Sequence, residues 1–294
     1  MGGSRERTMS SGLKAVAGAA TWTPPEANPP SAGAPAAEPC AVWEQVRREA
    51  EGEREREPAL AEFLDTTILF RTGLVDSLAW ILSHELASPI VGQVRLRELF
   101  DEVHASDPAI GDAARADLQA VRDRDPALET YFPALLFFKG FHALQTYRIS
   151  HRLWNDQREL AALLVQSRMA HVYGVDIHPA ARIGRGIMID HATGVVVGET
   201  AVIEDDVSIL HEVTLGGTGK ETGDRHPKVR AGVLIGAGAK LLGNVEIGAG
   251  AKVGAGSVVL ADVPAHRTVV GVPAEVVGTP ESESPALTMD HRLT

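Results

Sequence analysis

The sequence predicts an α+β chain of two folded parts, an N-terminal α-helical domain followed by a C-terminal left-handed parallel β-helix with one extruded loop. The helical part is predicted by apolar residues at three- and four-residue spacing between residues 41 and 172. The β-helix is predicted by aliphatic residues that recur at every sixth position after residue 175. A glycine-rich, charged insertion interrupts this second pattern once and predicts the loop.

These patterns divide the chain into four segments. Residues 1–40 are rich in glycine, serine, alanine and proline, so we expect a disordered extension. Residues 41–172 are expected to form the helical domain and residues 173–275 the β-helix. Residues 276–294 continue neither pattern and are expected to be a flexible C-terminal tail.

Three apolar faces indicate helices in the second segment. The first face consists of Leu60, Phe63, Leu64, Thr67 and Ile68. The second, which ends before Pro89, consists of Leu74, Leu78, Ile81, Leu82 and Leu86. The third consists of Phe137, Phe138, Phe141, Leu144, Tyr147 and Leu153. Asp107-Pro108 and Asp125-Pro126 each predict a helix start, because aspartate caps a helix and proline suits its first position.

The six-residue period is neither the 3.6 of a helix nor the 2 of a strand. It is typical of a parallel β-helix, in which each short strand is one side of a triangular coil. We expect the recurring aliphatic residues to point into the prism: Ile177, Ile183, Ile189, Val197, Ile203, Ile209, Leu215, Val229, Ile235, Leu241, Ile247, Val253 and Val259. Small or β-branched residues such as Ala181 and Thr193 follow four positions later. Glycine often follows the aliphatic residue directly and is expected to supply a positive φ at the corners.

The interruption of the repeat runs from Gly216 to Lys228 and reads GGTGKETGDRHPK. Glycines and charged residues cannot fill the interior of a coil, so this segment is predicted to leave the prism as a loop. It is locally basic within an acidic protein, so a ligand-binding role and a plain solvated loop are equally compatible with it. Arg225 and His226 within it could hold a carboxylate, because a guanidinium matches carboxylate geometry.

Composition excludes several classes of function. The 294 residues carry 28 Lys and Arg against 39 Asp and Glu, a net charge of −11, which argues against non-specific nucleic-acid binding. No apolar run approaches the roughly 20 residues that span a bilayer. Cys40 is the single cysteine, which fits a reducing compartment. We therefore expect a cytoplasmic protein that binds neither nucleic acid nor membrane.

His191 is the candidate catalytic residue. It lies in Ile189-Asp190-His191-Ala192-Thr193-Gly194, where the repeat slips by two residues, so its side chain is predicted to leave the regular wall. Histidine suits a general base because its pKa lies near working pH, and a carboxylate can orient its ring. Asp190 is adjacent, and the position of Asp176 is compatible with contact. A packed or solvated histidine remains the alternative.

A metal site is a second possibility for the histidines of the β-helix, since His178, His211 and His226 could together suggest one. Such sites usually include two histidines a few residues apart. The repeat region contains no such close pair, so we predict no metal.

Several segments resemble the bacterial and plant serine acetyltransferases. In the β-helix these are VDIHPAARIGRGIMIDHATGVVVGETAVIEDDVSIL (Val175–Leu210) and TLGGTGKETGDRHPKVRAGVLIGAGAKLLGNVEIGAGAKVGAGSVVL (Thr214–Leu260). In the helical domain they are Ala87-Ser88-Pro89-Ile90, DLQAVRDRDPAL (Asp117–Leu128) and KGFHALQTYRISHRLW (Lys139–Trp154). The resemblance covers about residues 41–275. It implies transfer of an acetyl group from acetyl-CoA to the hydroxyl of L-serine, the first step of cysteine biosynthesis.

The resemblance also implies roles for individual residues. His191 is implied to be the general base, with Asp176 as its orienting partner. Asp125 and Asp190 are implied to bind the ammonium and hydroxyl region of serine, and Arg225 and His226 its carboxylate. The residues implied to line the groove for CoA are Gly217, Thr218, Ala237, Lys252 and Ala255. Transfer is implied to be direct, without an acyl-enzyme and without a metal.

The family resemblance further implies assembly into trimers, or dimers of trimers, with active sites between neighbouring subunits. It implies inhibition by L-cysteine and binding of O-acetylserine sulfhydrylase through a terminal isoleucine. This chain ends in Leu293-Thr294, which puts the sulfhydrylase complex in question. Three other functions are compatible with the same prism: an acyltransferase for a sugar or antibiotic, a non-catalytic scaffold for the sulfhydrylase, and a metal-dependent lyase or hydratase.

Overall fold

A computed structural model describes residues 40–219 and 222–292 of the chain. The predicted disorder of residues 1–40 falls outside the described residues, except for Cys40, which directly precedes the first helix. Helices occupy the chain up to residue 173, and short strands follow from residue 176. This confirms the predicted fold class, a helical domain followed by a parallel β-helix of hexapeptide repeats.

The helical domain begins with α1 (Ala41–Arg56) and α2 (Ala61–Leu64), which continues into one π-helical turn at Asp65–Leu69. The longer helices are α3 (Leu74–Glu85), α4 (Gln93–Ser106), α5 (Pro108–Arg124), α6 (Phe132–Phe137), α7 (Lys139–Asn155) and α8 (Glu159–Tyr173). The predicted second face is buried on α3. Three predicted face positions, Leu60, Phe63 and Phe137, were wrong, because their side chains are exposed. The rings of Phe63 and Phe137 stack on each other at the surface, with centroids 6.2 Å apart.

The two predicted Asp-Pro helix starts have different outcomes. Asp107 caps α5 by accepting a hydrogen bond from the Ala109 amide at 3.1 Å, as expected. The start at Asp125-Pro126 was wrong. Asp125 ends α5 and accepts from the Ala127 amide at 2.9 Å, but that turn does not propagate, and α6 begins seven residues later.

Three sheets, parallel except for the last strand of the third, form the sides of the triangular prism. Side 1 consists of β1 (Asp176–Ile177), β4 (Val196–Val197), β7 (Thr214–Gly216), β10 (Lys240–Leu242) and β13 (Val258–Val259). Side 2 consists of β2 (Arg182–Ile183), β5 (Val202–Ile203), β8 (Lys228–Val229) and β11 (Glu246–Ile247). Side 3 consists of β3 (Met188–Ile189), β6 (Ser208–Ile209), β9 (Leu234–Ile235), β12 (Lys252–Val253), β14 (Thr268–Gly271) and β15 (Ala274–Gly278).

A regular coil with three sides of six residues contains 18 residues, and the strand pairing shows which coils are longer. Asp176 pairs with Val196, Val196 with Thr214, and Thr214 with Lys240, so successive coils hold 20, 18 and 26 residues. The two extra residues of the first coil lie in the turn around His191. The eight extra residues of the third coil lie between β7 and β8, which confirms the predicted extruded loop.

The interior of the prism contains the predicted aliphatic positions, all buried except the half-buried Ile183. Thr193 is exposed, contrary to prediction, because the two-residue slip places Ala192 and Val195 inside instead. The role of the glycine after each aliphatic residue was also wrong. Gly236, for example, does not have a positive φ; a Cβ there would lie 2.6 Å from the Ala255 backbone nitrogen of the next coil. Close approach between coils, and not a left-handed φ, requires glycine at this position.

A buried polar network joins the helical domain to the prism. Asp117 on α5 is fully buried and accepts hydrogen bonds from Arg148 on α7, at 2.6 Å from Nη2, and from the Ile187 amide at 3.0 Å. Arg148 also donates to the Gly184 carbonyl oxygen at 2.7 Å. These contacts tie α5 and α7 to the first coil.

The C-terminal segment, expected to be flexible, is folded where the structure describes it. Residues up to Gly278 complete β15, which pairs antiparallel with β14. The short helix α9 (Pro285–Thr288) then packs on side 3, where the Ala286 carbonyl oxygen accepts from the buried Ser208 hydroxyl at 2.9 Å. Burial of Ala286 explains the docking. Among the described residues, no helix has the length and apolar character that a membrane span requires.

Candidate active site

His191 lies on the edge of the prism where side 3 turns into side 1. Its side chain is 75% exposed, so the prediction that it leaves the wall agrees with its position. Its Nε2 lies 3.7 Å from Oδ2 of Asp190. Its ring meets the ring of His211, one coil on, edge to face with centroids 5.8 Å apart. An exposed imidazole beside a carboxylate is suited to accept a proton from a bound hydroxyl.

The turn that carries His191 has an unusual backbone. His191 and Ala192 have φ values of 56° and 59°, in the left-handed region that non-glycine residues rarely adopt. Two consecutive residues of this kind are costly unless the surroundings hold them. The buried Ala192 side chain provides one restraint, and a hydrogen bond from the Gly194 amide to the Gly174 carbonyl oxygen, at 2.7 Å, provides a second.

The first residues of α7 support the same turn. Lys139 hydrogen-bonds the Thr193 hydroxyl. Gly140 packs so closely that a Cβ there would overlap the Ile189 carbonyl oxygen. The helical domain therefore touches the His191 turn on both sides of the base, at Ile189 before it and at Thr193 after it.

Asp176 begins β1 on side 1 and is exposed. Its Oδ1 accepts from Gln166 of α8 at 2.7 Å. The amide of Gly194, in the turn that carries His191, donates to the carbonyl oxygen of Gly174, which lies two residues before Asp176. Within the described residues, however, no hydrogen bond or ion pair joins Asp176 to His191.

Arg225 and His226 form a second set of residues, on the edge between sides 1 and 2. Arg225 Nη2 donates to Glu199 Oε2 at 2.6 Å. The Thr200 hydroxyl accepts from the backbone amides of Arg225 and His226 at 3.0 and 3.1 Å. Glu199 and Thr200 were missed in the sequence, although they lie at the same kind of edge as His191, directly after β4.

The tautomer of His226 follows from its contacts. The Thr200 amide donates to His226 Nδ1 at 3.2 Å, so in the neutral ring the proton resides on Nε2. Burial, followed by the charge of Arg225, lowers the pKa of His226, which is only 7% exposed. His226 is therefore neutral at pH 7 and can present an Nε2–H donor toward Gly198 and Gly217, which line that side of its ring.

Two further groups surround Arg225. The hydrogen bond from Arg225 holds the pKa of Glu199 below its ordinary value. Burial lowers the pKa of His178, against the opposing charges of Glu199 and Asp176. The Arg225–Glu199 ion pair therefore has two neutral imidazoles beside it, those of His178 and His226. This arrangement is suited to bind a carboxylate.

Asp125 lies at the end of α5, and its described side-chain contact is the turn to Ala127. No hydrogen bond or ion pair among the described residues links it to His191 or to Arg225. The structure therefore does not bring the predicted serine-binding residues together within one chain.

The predicted CoA residues also divide between two edges. Ala237 and Ala255 follow β9 and β12 on the edge that carries His191 and His211, and the Ala237 carbonyl oxygen accepts from the Gly256 amide at 2.8 Å. Lys252 begins β12, where its Nζ hydrogen-bonds the Arg292 carbonyl oxygen of the tail. Gly217 and Thr218 follow β7 on the edge that carries Arg225.

His178, His211 and His226 do not converge on one point. In the part of the chain that the structure describes, no group of three His, Cys, Asp or Glu side chains could hold a metal ion.

Comparison with known proteins adds family evidence. A family model described as "Serine acetyltransferase, N-terminal" matches residues 42–146, and one described as "Bacterial transferase hexapeptide (six repeats)" matches residues 226–261. The chain is 56% identical over 252 residues to a serine acetyltransferase of Salmonella typhimurium, covering 86% of this chain and 92% of that protein. It is 52% identical over 253 residues to serine acetyltransferase 2 of Arabidopsis thaliana, covering 86% and 78%.

Three solved structures are also similar. A serine acetyltransferase in complex with cysteine has a TM-score of 0.84 and 55% identity, covering 86% of this chain and 98% of its own. The Brucella abortus enzyme in complex with coenzyme A has a TM-score of 0.80 and 50% identity, covering 81% and 95%. The soybean enzyme complexed with serine has a TM-score of 0.79 and 57% identity, covering 80% and 97%.

Proposed function

The chain belongs to the serine acetyltransferase family, and we propose that it transfers the acetyl group of acetyl-CoA to the hydroxyl of L-serine with His191 as the general base. The products are O-acetyl-L-serine and CoA, and the reaction is the first step of cysteine biosynthesis. The observation that carries the assignment of the base is the position of His191. It is the exposed histidine on the edge that also holds Asp190, Ala237 and Ala255.

The proposed chemistry is a direct transfer. His191 takes the proton of the serine hydroxyl as its oxygen attacks the thioester carbonyl, which gives a tetrahedral intermediate. The intermediate collapses by breaking the carbon–sulfur bond, and the imidazolium returns its proton to the thiolate of CoA. Asp176 is the proposed orienting partner of the base; the Gly194–Gly174 hydrogen bond, which joins the turn that carries His191 to the backbone two residues before Asp176, supports this role.

Arg225 and His226, on the second edge, are proposed to hold the amino acid. Arg225 and the Nε2–H of His226 bind the serine carboxylate. The hydrogen bond from Arg225 to Glu199 supports this role, because it holds the guanidinium in place. Asp190 and Asp125 bind the ammonium and hydroxyl region. L-cysteine, which shares the carboxylate and ammonium of serine, is proposed to inhibit by occupying the same place; the related complex with cysteine supports this.

The division of the site between two edges favours an oligomer. One side of the prism, six residues at about 3.3 Å each, separates the His191 edge from the Arg225 edge by about 20 Å. A neighbouring copy can place its Arg225 edge against the His191 edge of the first. We therefore propose a trimer, or a dimer of trimers, with each active site between two subunits.

CoA is proposed to bind along the same junction. Ala237 and Ala255 come from the edge of one subunit, Lys252 from side 3 of the same subunit, and Gly217 and Thr218 from its neighbour. Small residues there leave room for a thioester arm. Lys252 is buried on the Arg292 carbonyl oxygen, so it offers a cation for a phosphate when that contact with the tail opens. No metal takes part in this proposal.

Two further points concern cellular context. The proposed compartment is the cytoplasm, supported by the single cysteine of the sequence. The second point is the proposed protein partner, O-acetylserine sulfhydrylase, which is carried over from the family resemblance.

Release of CoA thiol from acetyl-CoA tests the proposal. We expect release with L-serine and little without an acceptor. Loss of a general base typically costs about 10²–10⁴-fold, so His191→Ala should lower kcat by that much with an unchanged oligomer. His171→Ala, at an exposed histidine on α8, is the matched control and should keep full activity. Absence of serine-dependent release from wild type would overturn the function, and a fully active His191→Ala would overturn the base alone.

A further inference from the structure

Arg124 is the last residue of α5, directly before Asp125, and its side chain is only 4% exposed. Nη1 donates to the Ser208 hydroxyl at 3.1 Å and to the Val207 carbonyl oxygen at 3.4 Å, and Nη2 donates to Asp206 Oδ1 at 3.1 Å. Asp206 and Val207 lie in the turn between β5 and β6, and Ser208 is the first residue of β6. A guanidinium buried in this way joins the end of α5 to the second coil of the prism.

The acceptors of Arg124 are themselves fixed. The Val207 carbonyl oxygen also accepts from the Met188 amide at 3.1 Å, within the ladder of side 3. The Ser208 hydroxyl donates to the Ala286 carbonyl oxygen at 2.9 Å. Asp206 has a φ of 59°, and its amide donates to the Arg185 carbonyl oxygen at 2.9 Å. The anchor point is therefore part of the rigid prism.

Asp125 itself has little else to hold it. Its backbone leaves the helix with φ −90° and ψ 108°, and residues 126–131 that follow form no helix or strand. Leu128 packs against the core of the helical domain, and the next long-range hydrogen bond of this connection is at Tyr131, whose amide donates to Glu49 Oε2 at 2.8 Å. The place of the Asp125 carboxylate thus depends on the anchor one residue before it.

We propose that Arg124 is a positioning residue for serine binding, which fixes the end of α5 on the prism so that the Asp125 carboxylate meets the serine ammonium. The inference rests on the serine-binding role proposed for Asp125. Arg124 does not touch the substrate. Its loss should therefore weaken the use of serine and leave the use of acetyl-CoA unchanged.

The test is a double-mutant cycle with Arg124→Met and Asp125→Asn, in which KM for serine and for acetyl-CoA are measured separately. We expect each single variant to raise KM for serine by about tenfold or more, and KM for acetyl-CoA to stay within about twofold. Because Arg124 acts through Asp125, the double variant should be little worse than Asp125→Asn alone. Arg124→Lys should recover part of the serine affinity.

Arg148→Met is the matched control, since Arg148 is a second buried arginine that joins the helical domain to the prism, away from Asp125. It should lower the melting temperature without a selective rise in KM for serine. If Arg124→Met is too unstable to assay, Asp206→Asn replaces the charged acceptor of Arg124 by a neutral one at an exposed position and should raise KM for serine by a smaller factor.

The outcomes separate this inference from the proposed function. A raised KM for serine in Asp125→Asn but not in Arg124→Met or Asp206→Asn would overturn the positioning role alone. Additive effects in the double variant would also overturn it. An Asp125→Asn variant with an unchanged KM for serine would remove Asp125 from the proposed serine site, and the role of Arg124 with it. A wild type without serine-dependent release would overturn the proposed function itself.

Discussion

The ring of His211 stands edge-on against the ring of His191, with centroids 5.8 Å apart and planes at 74°. His211 is only partly exposed, and its Nδ1 has no hydrogen-bond partner among the described residues. The contact limits rotation of the exposed His191 side chain, so His211 acts as a packing support for the proposed base.

Replacement of His211 by alanine should therefore misplace the base. We expect His211→Ala to lower kcat by roughly tenfold with both KM values nearly unchanged, because small displacements of a catalytic group are costly. His211→Phe keeps a ring at the contact and should retain most of the activity. Steady-state kinetics of both variants checks this; an equal loss in Phe and Ala variants would show that the ring nitrogens matter and the packing does not.

Gly140 provides a second test of how the His191 turn is held. A Cβ at position 140 would overlap the Ile189 carbonyl oxygen, which is backbone and cannot rotate away. We expect Gly140→Ala to destabilise the fold by about 1–3 kcal/mol or more and to lower kcat by displacing the turn. Gly52→Ala is the control, because nothing lies within 4 Å of a Cβ at that position of α1.

The two glycine variants should move stability in opposite directions. Alanine in a helix interior is favoured over glycine by about 0.5–1 kcal/mol, so Gly52→Ala should raise the melting temperature slightly and leave kcat unchanged. Chemical denaturation measures both. A Gly140→Ala variant as stable and as active as wild type would show that α7 does not support the base.

The fold was predictable because its main signal is local and repeated. Each coil repeats the six-residue period, so the interior positions could be assigned without knowing any long-range contact. The slip at His191 was visible as a change of spacing. The sequence did not reveal that Ala192 would be buried in place of Thr193, because this depends on the left-handed φ of two consecutive residues.

The error at Asp125-Pro126 shows what local signals cannot decide. Asp107 and Asp125 make the same turn to the amide two residues on, at 3.1 and 2.9 Å. A helix follows only the first. After Asp125 the next helix begins only at Phe132. There the Glu49 carboxylate accepts hydrogen bonds from the backbone amides of Tyr131 and Phe132. A residue 83 positions away thus selects where α6 begins.

The roles of Glu199 and Thr200 were hidden for a related reason. They contact Arg225 and His226, 25 and 26 residues later, across the coil that contains the extruded loop. Only the 26-residue length of that coil brings the two pairs together, and no six-residue pattern reveals it. The roles of Arg225 and His226 were predicted from the chemistry of an arginine and a histidine in a basic loop, and from the family resemblance, and not from the period.

Gly198 tests the proposed carboxylate site. A Cβ at position 198 would overlap the His226 ring and displace its Nε2–H. A hydrogen bond to a charged group contributes about 1.5–3 kcal/mol, so Gly198→Ala should raise KM for serine by about ten- to a hundredfold. Gly278→Ala, where a Cβ meets nothing within 4 Å, should behave as wild type. An unchanged KM for serine in Gly198→Ala would remove His226 from the site.

His104 on α4 predicts how stability depends on pH. Burial lowers the pKa of His104 to about 4 from its ordinary 6.5, although the charge of Asp101 opposes the shift. The unfolded chain therefore takes up a proton near pH 6.5, which the folded chain does not take up until about pH 4. The stability due to the neutral ring is fully present above pH 6.5 and is lost as the pH falls to about 4.

The size of this effect is up to about 3 kcal/mol, since each pKa unit corresponds to about 1.4 kcal/mol. Urea denaturation at a series of pH values between 6.5 and 4 measures it. The free energy of unfolding should fall less steeply in His104→Leu than in wild type, because leucine cannot bind the proton. His171→Leu, at an exposed histidine, should keep the wild-type slope. Parallel curves for wild type and His104→Leu would contradict the assignment, since the acid sensitivity would then come from other groups.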